Sequence, residues 1–215
     1  MVIIFDLDGT LLDTYELIKA SFIHTFQKHL PEYQYTDEEL DSFFGPLLDE
    51  SFAKLTKDEK LISEMIKTYR EFNLSMHHKY VKTFPYAKEV LEKLYNENYK
   101  LAVLSNKRRD AVLLGLDITG LTKYFNIILG SNDVTQVKPH PEGIFKVLEH
   151  FQASQAVMVG DTAYDMQAAQ NAGIVGIGVS WANTSVEQLQ KSGAHYIAHD
   201  YLELYEMIKG VNRNV

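Results

Sequence analysis

Two apolar runs in this chain each stop at a pair of acids. Val2-Ile3-Ile4-Phe5 leads into Asp6-Leu7-Asp8-Gly9-Thr10, and Ala156-Val157-Met158-Val159 leads into Gly160-Asp161-Thr162-Ala163-Tyr164-Asp165. Carboxylates collected at one edge are hard oxygen donors, the set that Mg²⁺ accepts, and a hard cation can meet a phosphate there. Gly9 lets the backbone turn tightly beside the first pair. Each pair also has a plainer reading. The first suits an acidic turn that ends a strand; the second suits Asp161 as a helix N-cap, with Asp165 as a first-turn acid favoured by the helix dipole. A calcium-binding EF-hand is excluded, because Gly9 falls too early and no Glu closes a loop of the required length.

Two further segments add a neutral and a cationic element. Leu104-Ser105-Asn106-Lys107 ends another apolar run. Its hydroxyl, side-chain amide and exposed N–H groups form a cradle for phosphate oxygens, although Ser105 or Asn106 also suits an ordinary helix N-cap. In Val137-Lys138-Pro139-His140-Pro141 the prolines stiffen the backbone around Lys138 and open the next helix, and His140 reads as a polar loop residue. A fixed ammonium can screen charge on carboxylates and on a phosphate together. Four strand ends thus present Asp/Asp, Ser/Asn, Lys and Asp/Asp, and so many acids at one edge call for a cation.

A sheet must align those edges. Apolar runs at 2–5, 101–104, 127–129, 156–159 and 174–179 lack alternation, as strands buried on both faces do. Helix-length segments lie between them: 89–95 with Val90, Leu91 and Leu94, 144–151 with Phe145, Leu148 and Phe151, and 163–172. Strand alternating with helix implies an α/β core with a parallel, Rossmann-like sheet and helices on both faces. Residues 196–207 mix strand and helix signals and complete this core.

From about residue 14 to 80 the rhythm changes to helix after helix. Ile18, Phe22 and Phe26 recur at helical spacing, and Thr36-Asp37-Glu38-Glu39 and Thr56-Lys57-Asp58-Glu59 both fit the capping box. Leu40, Phe43 and Phe44 follow the first box, and Ile62, Met65, Ile66 and Tyr69 follow the second. The expected organisation is a catalytic core of 1–13 and 83–215 with an inserted all-helical cap, 14–82, hinged near 12–14 and 82–85. The Phe43-Phe44 and Phe22/Phe26 groups read as cap core, Trp181 as packing, and His24, His77 and His78 as surface or substrate-facing groups without zinc-ligand spacing.

Composition narrows the chemistry. With no cysteine, thiolate catalysis, zinc–thiolate sites and Fe–S clusters are excluded. Twenty-one Lys and Arg against 29 Asp and Glu give a net charge of −8, which offers no bulk attraction to nucleic acid or an anionic membrane. The first residues carry no basic lead and no run reaches membrane-spanning length, so a cytoplasmic location is expected.

These residues, in this order, resemble the haloacid dehalogenase-like superfamily of phosphatases. Residues 6–10 look like its first motif, Ser105 its second, Lys138 its third and 160–165 its fourth. The resemblance implies Asp6 as nucleophile, Asp8 as general acid and then base, and Mg²⁺ held by Asp6, the Asp8 carbonyl and Asp161, with Asp165 supporting them. It implies phosphate binding by Ser105, Asn106, Lys138, Gly9 and Thr10. Asp8 favours phosphate over carbon–halogen chemistry, since a halide needs no proton whereas a departing oxygen does.

The helical insert resembles the cap of the phosphoglycolate phosphatase-like branch. Its details look closer to bacterial pyrophosphatases linked to HPr kinase/phosphorylase in Glu16-Leu17-Ile18, Ser21-Phe22, His24-Thr25, Gly45-Pro46, Leu48, Tyr69-Arg70, Phe72-Asn73 and His77. Lys107, Arg109-Asp110 and 138–142 continue the likeness in the core, whereas Tyr86 stands where that branch commonly has glycine. The expected function is a Mg²⁺-dependent phosphohydrolase on a small anionic substrate, diphosphate first, with phosphoglycolate or another small phosphomonoester as the alternative. A sugar-phosphate mutase and a non-enzymatic phosphate-binding regulator rank below these. His24, Arg70, Lys107 and Arg109 are the candidate substrate contacts. Nucleic acid and membrane are not expected partners, and the chain is expected to act as a monomer or dimer.

Overall fold

The computed structural model describes residues 1–213. They divide into two compact units, Met1–Asp13 with the chain from Lys82 onward, and Thr14–Val81. In chain order, β1 (Val2–Phe5) and β2 (Leu12–Asp13) precede the helices α1 (Tyr15–His29), α2 (Asp37–Asp41), α3 (Leu48–Ala53) and α4 (Glu59–Tyr80). β3 (Lys82–Thr83), α5 (Ala87–Asn96), β4 (Lys100–Leu104), α6 (Arg109–Thr119), β5 (Ile127–Leu129) and α7 (Glu142–Phe151) follow. The chain continues with β6 (Ala156–Gly160), α8 (Ala163–Ala172), β7 (Val175–Val179), α9 (Val186–Lys191), β8 (Tyr196–Ala198) and α10 (Tyr201–Arg213).

Six strands form one parallel sheet in the order β5-β4-β1-β6-β7-β8. Taken in chain order, this is the 3-2-1-4-5-6 arrangement of a Rossmann-like sheet, in which the direction of winding reverses between β1 and β6. β1 is buried along its whole length. Val2 and Ile4 pack with Ala102, Leu104, Ala156 and Met158 against Ile144 and Val147 of α7 and Ala168 and Ala169 of α8. Ile3 and Phe5 alternate to the opposite face and are equally buried, which is why the run reads as unbroken apolar sequence. On α7 the expected face is corrected at one position. Leu148 and Phe151 pack against this core as expected, alongside the buried Gly143, Ile144 and Val147, while Phe145 is 49% exposed.

Lys82, expected in the helical segment, lies in the core unit because it pairs with Asp13 in the antiparallel β2–β3 ladder. Tyr86, just before α5, holds a φ of 62°, a left-handed conformation that glycine adopts freely and a tyrosine resists.

The helical unit packs α1 along α4 around an aromatic centre. Phe22 contacts Tyr69 at 4.8 Å, Phe43 at 5.4 Å and Phe52 at 5.6 Å between ring centroids. Polar groups buried on α1 are satisfied locally, since the Ser21 and Thr25 hydroxyls donate to carbonyls four residues back. The Thr36 capping box forms, with Glu39 N donating to Thr36 Oγ1 and Thr36 N to Glu39. The box expected at Thr56 does not cap α4. Asp58 is the N-cap and accepts from Lys60 N and Leu61 N, while Thr56 accepts only from Asp58 N. Among the described residues, no helix is long and apolar enough to cross a membrane. Asp58→Ala is expected to cost about 1 kcal/mol in urea denaturation, while Thr56→Ala stays within about 0.5 kcal/mol of wild type.

Candidate active site

In an open parallel sheet the crevice for ligands lies beyond the carboxyl ends of the strands where winding reverses. Asp6 leaves β1 at that point and its N–H donates to Val159 O of β6 at 2.9 Å, so the two strand ends stay in register. The chain then closes a tight loop in which the N–H groups of Leu11 and Leu12 return to Leu7 O, and Gly9 N donates to Leu12 O. Gly9 sits at φ 75°, and a Cβ there would lie 2.2 Å from Asp161 Oδ2, so both backbone angle and space require glycine. Thr10 Oγ1 donates to Asp161 Oδ1 at 2.9 Å.

Gly9 and Thr10, expected to bind phosphate, have their N–H groups engaged within the loop, and the Thr10 hydroxyl holds Asp161. Asp161 does not cap α8 either: Thr162 occupies the N-cap position. Asp165, in the first turn, accepts from Thr162 N at 3.0 Å and from Thr162 Oγ1 at 2.6 Å. A Cβ at Gly160 would strike the Asp165 side chain, so this residue too makes room for a carboxylate.

Asp6, Asp161 and Asp165 are buried, and one ligand oxygen from each lies within 4.8 Å of the others. Lys138, also buried, donates to Asp165 Oδ1 at 2.6 Å and stands 2.9 Å from Asp6 Oδ1. Three carboxylates facing one ammonium leave two negative charges uncompensated when all are ionised. Burial pushes the Asp6 carboxyl up from 3.8 to about 6, with Lys138 opposing and Asp165 adding to the rise. Burial, then Asp6 and Asp165, push Asp161 well above the usual carboxylate range. For Lys138 burial alone acts downward, but Asp165 and Asp6 outweigh it and the ammonium is held charged. Asp6 Oδ1 is buried, and its charge partner is Lys138 Nζ at 2.9 Å. Three buried hard oxygen donors whose negative charge exceeds the one ammonium among them fit a divalent cation.

Around this cluster the loops are fixed by side chains. Asn106, expected to offer its amide to phosphate, instead clasps the backbone of Lys138, accepting from its N–H and donating to its carbonyl at 3.0 Å each. Ser105, buried after β4, accepts from Lys107 N and keeps its hydroxyl proton to donate. Lys107 Nζ donates to Asp8 Oδ1 at 2.9 Å, which sets a cation beside the acidic loop. Arg109 is placed elsewhere, because its Nε–H donates to Ile128 O on β5 and lies 3.8 Å from Asp133. His24 and Arg70 are exposed on the helical unit, His24 stacked on Phe72 at 4.3 Å.

Glu142 was not singled out in the sequence. It accepts from Thr135 N, Gln136 N and Lys146, and these bonds hold its carboxyl down at about 2, tying both ends of the loop that carries Lys138. Its sequence signal is an acid directly after Pro141, at the start of a helix.

A Rossmann-like core with a helical insert after its first strand and an acidic cluster where the winding reverses defines the haloacid dehalogenase-like class. The profile of haloacid dehalogenase-like hydrolases matches residues 3–179, and the chain belongs to that family. Pyrophosphatase PpaX of Oceanobacillus iheyensis is 38% identical over 208 residues, 96% of this chain and 95% of that protein. Pyrophosphatase PpaX of Bacillus cereus is 36% identical over 214 residues, 99% of this chain and 98% of that protein. The solved structure of a haloacid dehalogenase-like hydrolase from Streptococcus pneumoniae superposes with a TM-score of 0.86 at 30% identity, covering 96% of this chain and 97% of that one.

The cluster makes stability depend on pH. A carboxyl raised in the folded state stabilises fully below its unfolded value near 3.8, and that contribution is lost as pH rises through about 6. In chelator, Asp6→Asn is therefore expected to gain on wild type as pH rises from 4 to 7, by on the order of 1–3 kcal/mol in chemical denaturation. An added divalent cation should narrow the gap.

Proposed function

We propose that this chain is a cytoplasmic, Mg²⁺-dependent phosphohydrolase that works through an aspartyl-phosphate on Asp6, with inorganic diphosphate as its substrate. The observation that carries the reading is the cluster of Asp6, Asp161 and Asp165 around Lys138, with Asp8 two residues from Asp6 and paired to Lys107. Asp6, the Asp8 carbonyl and Asp161 would hold the ion, and Asp165 would fix Lys138 and support them. When bound, Mg²⁺ supplies charge neutralisation for the phosphoryl oxygens.

A carboxylate oxygen of Asp6 attacks phosphorus, forming an acyl-phosphate bond as the bond to the leaving oxygen breaks. Asp8 gives that oxygen its proton. Asp8 then takes a proton from water, whose oxygen attacks phosphorus; the bond to Asp6 breaks, and phosphate leaves with the carboxylate restored. Lys138 and the Ser105 hydroxyl bind the oxygens of the transferring group.

Diphosphate is supported by Lys107. Its ammonium stands beside Asp8, the group that handles the leaving oxygen, and so suits a leaving group that is itself a phosphate. The names of the full-length relatives point the same way. A small phosphomonoester such as phosphoglycolate is the second reading, favoured by Asp8, since a proton donor matters most for an alcohol leaving group.

Purified protein with Mg²⁺ is expected to release phosphate from diphosphate, and Asp6→Asn to lose at least about 10³-fold in kcat, measured by phosphate release. Retained turnover in Asp6→Asn removes Asp6 as nucleophile. Lys107→Met is expected to lower kcat/KM for diphosphate about tenfold, and to lower it less for a phosphomonoester of an uncharged alcohol. Equal losses, or a higher kcat/KM for phosphoglycolate than for diphosphate in wild type, would favour the second reading.

A further inference from the structure

Thr10 is completely buried, and its carbonyl accepts from two side chains distant in sequence. Tyr201 Oη–H reaches it at 2.7 Å from the first turn of α10, and Trp181 Nε1–H at 3.3 Å from the loop after β7. The two rings stack with centroids 4.7 Å apart at 27°, and Phe84 lies against Trp181 at 6.0 Å. On the same residue, the Thr10 hydroxyl is the donor to Asp161 Oδ1. A short chain of hydrogen bonds therefore runs from the aromatic pair through one residue to a carboxylate of the cluster.

We infer that Tyr201 and Trp181 are positioning residues for cation binding: by fixing the Thr10 carbonyl they aim its hydroxyl, and through it they orient Asp161. The inference rests on the reading that the cluster holds Mg²⁺. Groups that hydrogen-bond a metal ligand set its orientation and commonly change metal affinity 10- to 100-fold when removed. Here the effect passes through one more residue, so the lower end applies. The other Asp161 oxygen occupies the space a Cβ at Gly9 would take, so the carboxylate lies close over the loop that carries Thr10. Burial, then the Asp161 charge, push the Tyr201 hydroxyl far above its ordinary range, so it stays a neutral donor at every working pH.

The test uses Tyr201→Phe, which keeps the ring and removes only the donor, with Trp181→Phe as an independent variant. Mg²⁺ affinity is read from the Mg²⁺-dependent rise in Tm of metal-free protein, and separately from the Mg²⁺ concentration that half-saturates diphosphate hydrolysis. Tyr201→Phe is expected to bind Mg²⁺ about tenfold more weakly, with kcat at saturating Mg²⁺ within threefold or so of wild type. Combined with Thr10→Val it should add nothing to the loss from Thr10→Val alone, whereas Thr10→Ser should retain affinity. If both aromatic variants bind Mg²⁺ as wild type does while their metal-free Tm falls, the residues are structural only and the inference is overturned. If wild type itself takes up no Mg²⁺, the metal reading fails and takes this inference with it.

Discussion

Three carboxylates share a space too small and too dry to hold their charges apart, and a single ammonium sits among them. Removed from water, each negative charge raises the cost of ionising the next, and Lys138 offsets only part of it. Most of the local structure follows from that imbalance. Lys138 is clamped by Asn106 at its own backbone and by Glu142 through its loop, because a cation that drifted would leave the acids unpaired. Asp165 is tied to Thr162, and Asp161 to Thr10, so that neither carboxylate can turn away. Such preorganisation is what phosphoryl transfer asks of a protein: a fixed nucleophile and fixed charge, set before the substrate arrives.

The sheet makes this crowding affordable in structural terms. Strands buried on both faces hold their carboxyl ends in register, and the reversal of winding between β1 and β6 opens a crevice where Asp6 and Asp161 emerge side by side. Glycine at 9 and 160 removes the atoms that would otherwise occupy the carboxylates' positions. The stability that supports the strained edge comes from beneath it, where β1 packs without exposed surface and α7 and α8 close one face.

Much of this was legible in the sequence, because a doubly buried strand reads as an unbroken apolar run and the polar residues that follow it must lie at its edge. Asp6, Ser105 and Asp161 could be placed in this way, whereas Lys138 follows a polar loop and was marked by the prolines around it. What could not be read was the choice among groups that satisfy similar local rules. Thr56 and Asp58 both suit a helix start, and only the helix boundary decides for Asp58. Phe145 and Ile144 are both apolar, but the rotation of α7 buries only the second. Asn106 reads as a phosphate ligand or a helix N-cap, and its clasp on Lys138 could not be read because the partner backbone lies 32 residues on. Tyr201 was least accessible, since its acceptor is a carbonyl 191 residues away and carbonyls leave no trace in a sequence.

The antiparallel pairing of Asp13 with Lys82 bears on the chain's modularity. Residues paired across an antiparallel ladder have Cα atoms about 5 Å apart, so the excursion of 68 residues, Thr14–Val81, departs and returns at one point. It is a branch closed at its base. A tight turn of a few residues could bridge those ends without moving β1 or the acids that follow it. The length of the branch is therefore not set by the register of the sheet it leaves.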